Sequence, residues 1–182
     1  MSRGFEFISD KQFREDFDKH LEKDVEINCI TPKRGTSQSA GYDFFAPFDI
    51  ELQPGEEIKV PTGIKAYMKP NEVLLFLPRS GHGFKYYLRL ANTCGVVDSD
   101  YFNNESNEGH IWVKIRNEGG KVLKIERGKG MAQAIFVNYL IADNDSFEGV
   151  KRKGGLGSTD KGRWINVICR ILSSRCRDRE IR

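Results

Sequence analysis

The stretch HIWVKIRN, residues 110–117, decides the fold class of this chain. Isoleucine and valine occupy positions 111, 113 and 115, and tryptophan, lysine and arginine occupy the positions between them. Alternation with a period of two residues is typical of a β-strand that buries one face. The stretch therefore predicts a strand at the surface of an apolar core.

Similar short runs continue through most of the chain, separated by proline, glycine and polar residues. They are VEINCI (25–30), GIKAYM (63–68), EVLLFLP (72–78), KVLKIE (121–126) and MAQAIFVNYLI (131–141). Several short strands with turn signals between them favour an all-β sandwich or barrel over alternating βαβ units.

One helix is predicted before the strands, in the segment SDKQFREDFDKHLEK (9–23). Ser9 is a candidate N-cap, and Gln12 stands at the capping-box position three residues later. Phe13, Phe17 and Leu21 then form one apolar stripe, which we interpret as a packing face.

The length of 182 residues and the composition, with 38% hydrophobic and 30% charged residues, are typical of one globular domain. The apolar runs are too short to span a bilayer, and the N-terminus lacks the apolar region of a secretory signal. We therefore expect a cytoplasmic protein without a membrane partner. Four cysteines without CxxC spacing predict reduced thiols and no disulfide or zinc framework.

Charge is uneven along the chain, although the net charge is only +3. From residue 151 onward ten Lys and Arg stand against three acidic residues. The Gly-rich segment KRKGGLGSTDKGRW (151–164) predicts a flexible arm, and residues 165–182 form a basic tail of unassigned role. Because no aromatic residue interleaves with the charges of the basic tail, we predict no nucleic-acid partner.

Three short motifs are candidates for chemistry, and each also has a structural interpretation. Asp98 in GVVDSDY (95–101) stands at a strand end, where it is either a rigid general base or a turn former. Ser80 and Gly81, beside Arg79, either form an anion-binding concavity or begin a loop. GGLGST (154–159) is either a weak phosphate loop or a linker.

Five motifs taken together in one order resemble those of the trimeric dUTP pyrophosphatases (dUTPases), over about residues 25–163. They are AGYDFFA (40–46), PRSGHGFK (78–85), NTCGVVDSDY (92–101), RGKGMAQAIF (127–136) and GGLGSTDKG (154–162). The resemblance implies a jelly-roll-like, distorted β-barrel. With the predicted helix, the barrel would occupy residues 1–150, and residues 151–164 would be the arm that closes the active site.

The same resemblance implies hydrolysis of dUTP to dUMP and pyrophosphate, with Mg²⁺ on the triphosphate, which would limit uracil in DNA. It also implies a homotrimer whose active sites are shared between subunits. Magnesium commonly sits between water and phosphate oxygens, so no direct protein ligand is expected. Asp43 is either a structural acid or a water-mediated neighbour of the phosphate and metal region.

Site residues follow from the resemblance, position by position. Asp98 matches the catalytic aspartate that holds the attacking water, and Tyr101 matches the tyrosine under the sugar, where it excludes a 2′-hydroxyl. The residues implied to contact the uracil are Asn92, Val96 and Val97, with backbone groups of His110, Ile111 and Trp112. Those implied to contact phosphates are Arg79, Ser80, Gly81 and Gln133.

In the arm, Lys151 occupies the usual place of the phosphate-binding arginine, but we assign that role to Arg152, because a guanidinium binds phosphate with two donors whereas lysine acts as a point charge. Leu156, Gly157, Ser158 and Thr159 complete the closing motif. Leu156 stands where the family usually carries a phenylalanine that stacks on uracil; Phe147 and Trp164 are the two candidate replacements. The second departure is Asp160, at a position usually held by glycine.

A third departure is the polar insertion FNNESNE (102–108), which follows the hairpin tyrosine. We expect it to lengthen the hairpin tip, where it could hold a subunit contact or the arm.

Two alternatives remain beside dUTP hydrolysis. A dCTP deaminase would share the fold, but that family needs a catalytic glutamate where this chain has Lys114. A dUTPase with an added regulatory role is the second, since some viral members of the family also bind regulatory proteins.

Overall fold

A computed structural model describes residues 2–18 and 25–147, and within them the chain is almost entirely β-structure. The strands are β1 Gly4–Phe7, β2 Lys33–Arg34, β3 Tyr42–Phe45, β4 Ile50–Leu52, β5 Glu57–Pro61, β6 Ile64–Tyr67, β7 Glu72–Pro78, β8 Leu88–Leu90, β9 Gly95–Asp98, β10 Trp112–Asn117, β11 Leu123–Ile125 and β12 Gly130–Asn138. The helices are α1 Asp10–Phe17, α2 Ser80–Tyr86 and a 3₁₀ turn at Ser99–Tyr101. The prediction of an all-β fold with a short N-terminal helix is confirmed.

The strands pair in antiparallel fashion in four sheets of the described region. A five-stranded sheet has the order β2-β3-β12-β7-β9, and a three-stranded sheet has the order β5-β10-β8. Two further pairs are β4 with β11 and β1 with β6. The consecutive strands β9 and β10 therefore lie in different sheets.

The alternation that predicts β10 is present in the structure. Val113, Ile115 and Asn117 are buried, whereas Lys114 and Arg116 point outward. The Asn117 side chain donates to the carbonyls of residues 52 and 121 and accepts from the amide of residue 119. Its amide is buried without cost because these hydrogen bonds satisfy it.

Helix α1 begins as the sequence predicts. The Ser9 hydroxyl accepts a hydrogen bond from the backbone N–H of Gln12 at 3.2 Å, which is the usual N-cap contact. The return bond of a capping box is absent, since the Gln12 side chain donates to Asp16 instead. Glu108, far along the chain, takes its place and accepts from the Ser9 N–H.

Two local predictions are wrong. Residues 25–30 are not a strand: alternate positions are half-buried as the pattern predicts, but no strand ladder forms there. Ser80 and Gly81, for which one interpretation was the start of a loop, instead begin α2, although the helix contains two glycines, which disfavour helices. Tyr87 caps the end of α2: its φ of 53° is left-handed, and its N–H bonds to the carbonyls of residues 82 and 83.

Within the described residues no helix has the length and apolar character needed to cross a membrane. The predicted arm at residues 151–164 and the basic tail at 165–182 lie outside the described residues.

Candidate active site

A partly open cavity lies between β9 and β10, and concave sites of this kind are where small molecules usually bind. From the β9 side it is lined by Asn92, Gly95, Val96, Val97, Asp98 and Tyr101. From the β10 side it is lined by Ile111, Trp112, Val113 and Lys114, with Phe76 and Leu90 beside them. The structure thus brings most residues of the predicted base and sugar site to one cavity.

The cavity exists because the two strands that border it do not pair with each other. In the described region β9 is an edge strand that pairs only with β7. Strand β10 pairs with β5 along its length but reaches β8 only from Ile115 onward. A strand edge presents a row of main-chain donors and acceptors, so the cavity is suited to a flat ligand with a hydrogen-bonding edge.

Gly95 allows the β9 wall to pack closely. A Cβ atom at this position would lie 3.0 Å from Cβ of Phe76 and 3.7 Å from the Asn92 side-chain nitrogen. The first distance is closer than ordinary van der Waals contact, so a larger residue would push β9 away from β7. Glycine here sets the width of the cavity beside Asn92.

Asp98 and Tyr101 are placed by the end of β9 and the 3₁₀ turn that follows it. Asp98 stands opposite Val73 of β7 in the strand register. The Tyr101 hydroxyl donates to the His110 carbonyl at 2.9 Å and accepts from the Asn107 side-chain amide at 2.8 Å. The inserted loop therefore helps to orient a ring that lines the cavity.

The main chain of the predicted base-reading segment is partly engaged within the chain. The His110 N–H donates to the Asn107 carbonyl, and its carbonyl accepts from Tyr101. The Ile111 N–H donates to Ile64, and its carbonyl accepts from Thr62. His110 does not line the cavity, and its ring is buried.

Two lysine side chains lie beside the β10 wall of the cavity. The Lys59 ammonium lies 4.2 Å from the centre of a Trp112 ring, a cation–π distance. Lys114 is paired with Glu57 at 2.5 Å, and this contact lowers the pKa of Glu57. Sequence analysis did not identify Lys59, because nothing in its local pattern marks a contact with residue 112.

A second cluster lies at the other end of β7. Arg79 Nε is 3.0 Å from Asp43 Oδ1, and an Arg79 Nη1 donates to the Gly130 carbonyl at 3.0 Å. Gln133 of β12 stands opposite Asp43 of β3, and its side-chain amide donates to the Pro78 carbonyl at 3.0 Å. The strand register thus gathers Asp43, Arg79 and Gln133, three of the residues predicted for phosphate or metal.

Ser80 and Gly81 begin helix α2 beside this cluster and are exposed. A Cβ at Gly81 would meet nothing within 4 Å, whereas one at Gly130 would lie 2.6 Å from the Arg79 guanidinium. The surface beside Gly81 is therefore open to a ligand, while Gly130 is needed for the position of Arg79.

The two clusters do not meet in one chain. Asp98 pairs with Val73, and Gln133 pairs with Leu77 of the same strand. Four residues of an extended strand span about 13 Å. Asp98 and Gln133 therefore lie towards opposite ends of β7, whereas Val96 and Gly95 stand between them, opposite Leu75 and Phe76.

No group of three or more His, Cys, Asp or Glu side chains in residues 2–18 and 25–147 could hold a metal ion. The predicted arm residues Arg152, Leu156, Gly157, Ser158 and Thr159 lie outside the described residues, as does Trp164. Phe147, the other candidate to stack on a base, is exposed at the end of the described chain.

Comparison with known proteins gives one consistent result. A family model described as dUTPase matches residues 28–159. The deoxyuridine 5'-triphosphate nucleotidohydrolase of Lactococcus lactis is 45% identical over 138 residues, covering 75% of this chain and 91% of the relative. The protein of the same name from Haemophilus influenzae is 38% identical, covering 71% and 87%.

Solved structures agree with the sequence relatives. The crystal structure of dUTPase from Streptococcus mutans is 35% identical with a TM-score of 0.60, covering 78% of this chain and 99% of that one. A mutant dUTPase from phage phi11 of S. aureus, described as coordinating a structural Mg(II) ion, is 18% identical with a TM-score of 0.58, covering 82% and 98%. The likeness to the phage protein supports the fold alone, and the predicted jelly-roll-like barrel is confirmed.

Proposed function

The chain belongs to the dUTPase family, and from this premise we propose that it hydrolyses dUTP to dUMP and pyrophosphate by attack of water on the α-phosphorus. The observation that supports this most is the cavity between β9 and β10, with Asp98 at one end of its wall. Such a reaction would remove dUTP from the deoxynucleotide pool and limit uracil in DNA. A cytoplasmic location fits that role.

Uracil would occupy the gap between the two strand edges. The edge of β9 at Val96 and Val97, together with Asn92, offers donors and acceptors to the base, much as a pairing base does. Trp112 lines the opposite wall. The main-chain N–H and carbonyl of Ile111 are already hydrogen-bonded within the chain, so Ile111 would mainly shape this wall. Cytosine would leave buried donors without acceptors, a mismatch to which such sites are very sensitive.

The sugar would pack on Tyr101. Its hydroxyl is held by the His110 carbonyl and the Asn107 amide, so the ring cannot turn aside without breaking two hydrogen bonds. A ribose 2′-hydroxyl would then meet the ring, which excludes UTP by steric conflict.

Asp98 would act on the water. A carboxylate at a strand end, positioned about 3 Å from a water molecule, can both aim it at the α-phosphorus and accept its proton. The paired strand β7 supports this placement through the register of Val73 with Asp98. Asp100, in the 3₁₀ turn, would have a structural role.

The triphosphate would extend to Arg79, Ser80, Gly81 and Gln133. Because these residues lie away from Asp98 in the same chain, we propose that they act on the nucleotide held by another copy, in a homotrimer with shared sites. Mg²⁺, bound to phosphate oxygens and water, would neutralise charge on the triphosphate and leaving pyrophosphate. Asp43 would hold Arg79 in place through their ion pair.

The Gly-rich arm would close the site, with Arg152 gripping phosphate through a bidentate guanidinium. Truncation before residue 151, which removes the whole arm, should then abolish most activity while the trimer persists. A fully active truncated protein would refute the role of the arm. Light scattering of both proteins would measure the oligomeric state.

Deamination of dCTP is disfavoured by one contact of the cavity. The cavity wall carries Lys114, already paired with Glu57 at 2.5 Å, where a deaminase of this fold needs a glutamate.

The proposal is tested by incubating the protein with dUTP, dCTP or UTP and Mg²⁺ while pyrophosphate and ammonia are measured. Pyrophosphate should be released from dUTP alone. Equal turnover of UTP would refute the role of Tyr101, and ammonia from dCTP would establish the deaminase instead.

A further inference from the structure

A buried chain of hydrogen bonds joins helix α1 to the wall of the cavity. His110 is fully buried, and its Nδ1 lies 2.6 Å from Asp16 Oδ2. Its Nε2 accepts a hydrogen bond from the Gly63 N–H at 2.9 Å. Because Nε2 is the acceptor, the ring proton resides on Nδ1 and is donated to the carboxylate. The ring is therefore held in one tautomer and one orientation.

The surroundings keep this ring neutral. Burial lowers the pKa of His110, opposed mainly by the hydrogen bond with Asp16. Lys59 on β5 also lowers this pKa, and Glu108 in the inserted loop raises it. A proton on Nε2 would face the Gly63 N–H, so two donors would meet in a buried place, which is costly.

The main chain of His110 reaches the cavity although its ring does not. Its carbonyl accepts from the Tyr101 hydroxyl at 2.9 Å, and the next two residues, Ile111 and Trp112, line the cavity. A shift of the His110 ring would move this carbonyl. It would therefore displace Tyr101 on one wall of the cavity and Ile111 and Trp112 on the other. Asp16 itself is not among the cavity residues.

A second contact holds the same helix at its other end. Glu108 accepts from the Ser9 N–H at 2.9 Å and from the Ser9 hydroxyl at 2.5 Å. Phe17 is buried at the end of α1, with its ring 6.1 Å from the His110 ring. The inserted loop, through Glu108, and His110, two residues after it, thus contact the two ends of α1.

We propose that Asp16 and His110 are positioning residues, through which helix α1 sets the place of Tyr101 and of the Ile111–Trp112 wall. Their effect would be on affinity for a pyrimidine deoxynucleotide and not on the chemical step. This inference rests on the proposed function, since its readout is dUTP turnover.

Three variants test it. Asp16→Ala should raise KM for dUTP about threefold to tenfold with kcat nearly unchanged, because the lost contact serves ground state and transition state equally. Asp16→Asn should restore most of the affinity, since its amide oxygen still accepts from Nδ1–H. Glu15→Ala, which removes the exposed neighbouring carboxylate of the same helix, is the matched control and should behave as the unaltered protein.

A folded Asp16→Ala protein with unchanged KM would overturn the inference, as would an Asp16→Asn protein no better than Asp16→Ala. If Asp16→Ala does not fold, Asp16→Glu is measured by calorimetry with dUMP. Its carboxylate is displaced by one methylene, so dUMP should bind more weakly, and equal binding would overturn the inference. Failure of the unaltered protein and of Glu15→Ala to hydrolyse dUTP would instead refute the proposed function.

Discussion

The two ends of β7 differ in how complete they are within one chain. At the Val73 end, Asp98 and Tyr101 border a cavity whose walls come from the same chain. At the Pro78 end, Asp43, Arg79 and Gln133 form a contact network beside exposed Ser80 and Gly81. This difference supports the proposal that one chain supplies the base and sugar contacts and that a second copy supplies the phosphate contacts.

The largest expected effect is at the cavity end. Asp98→Asn should lower kcat by about 10³-fold, the scale of a lost general base, with little change in KM. Pyrophosphate release under saturating dUTP measures it. Asp100→Asn is the control, and it should keep most activity; if it were instead the inactive variant, the two acids would exchange roles.

Arg79→Ala should cost about 10²-fold in kcat, as loss of a charge that stabilises the reacting phosphates does. Arg89→Ala is the matched control, since it breaks an exposed ion pair with Glu118 at 2.6 Å and should remain active.

Refolding Asp98→Asn and Arg79→Ala chains together tests whether Asp98 of one chain and Arg79 of another act in the same site. If the sites are shared in a ring of identical interfaces, about a quarter of the activity should return under random mixing, because that fraction of sites receives both intact residues. A mixture no more active than its parents would mean that each site lies within one chain.

A smaller effect should separate the ring of Tyr101 from its hydroxyl. Tyr101→Ala should reduce the preference for dUTP over UTP by about tenfold, since the ring no longer fills the space of a 2′-hydroxyl. Tyr101→Phe keeps the ring and should keep the preference, with about threefold lower kcat/KM from the lost hydrogen bond to His110. If the unaltered protein, Tyr101→Ala and Tyr101→Phe all preferred dUTP over UTP equally, Tyr101 would not be the residue that excludes a 2′-hydroxyl.

The smallest effect concerns the ion pairs at the two ends of β7. The buried Glu72 carboxylate accepts hydrogen bonds from Nε and Nη2 of Arg3 and from the Lys69 N–H. These contacts lower the pKa of Glu72 to about 2. Well above pH 4.5 the Glu72 carboxyl is ionised in both the folded and the unfolded state, so its contribution to the stability of the fold is complete. As pH falls towards 2, only the unfolded state takes up the proton, and stability is lost.

Glu72→Gln should therefore flatten the decline of Tm between about pH 5 and pH 2. Asp43→Asn removes a carboxylate that is more exposed than that of Glu72 and should change Tm less, because partly exposed ion pairs contribute little to stability. An unchanged acid profile in Glu72→Gln would mean that other carboxylates cause the decline.

Much of the fold could be predicted because its signals are local. The alternation at residues 111–117 depends only on neighbouring side chains and one buried face, and the Ser9 cap depends on a residue three positions away. Residues 25–30 show the limit of such signals. Their alternation gives the burial pattern, but a strand also needs a partner, which the period does not specify.

The candidate site divides in the same way. Asn92, Asp98 and Tyr101 could be placed together because they follow one another within ten residues, although the hairpin predicted for them does not form, since β9 and β10 lie in different sheets. Nothing local indicates that His110 bonds to Asp16, since 94 residues separate them. The role of the insertion was equally hidden, because Glu108 meets Ser9 across 99 residues.

Local patterns were enough to predict short strands after one capped helix, and the order of five motifs was enough to identify the dUTPase family. Tertiary contacts place β9 and β10 in different sheets, join α1 to the cavity wall through a buried histidine, and separate Gln133 from Asp98. Periodicity and capping can be predicted because they are set by neighbours in sequence. Strand pairing and buried hydrogen bonds are set by whichever distant groups complete the core.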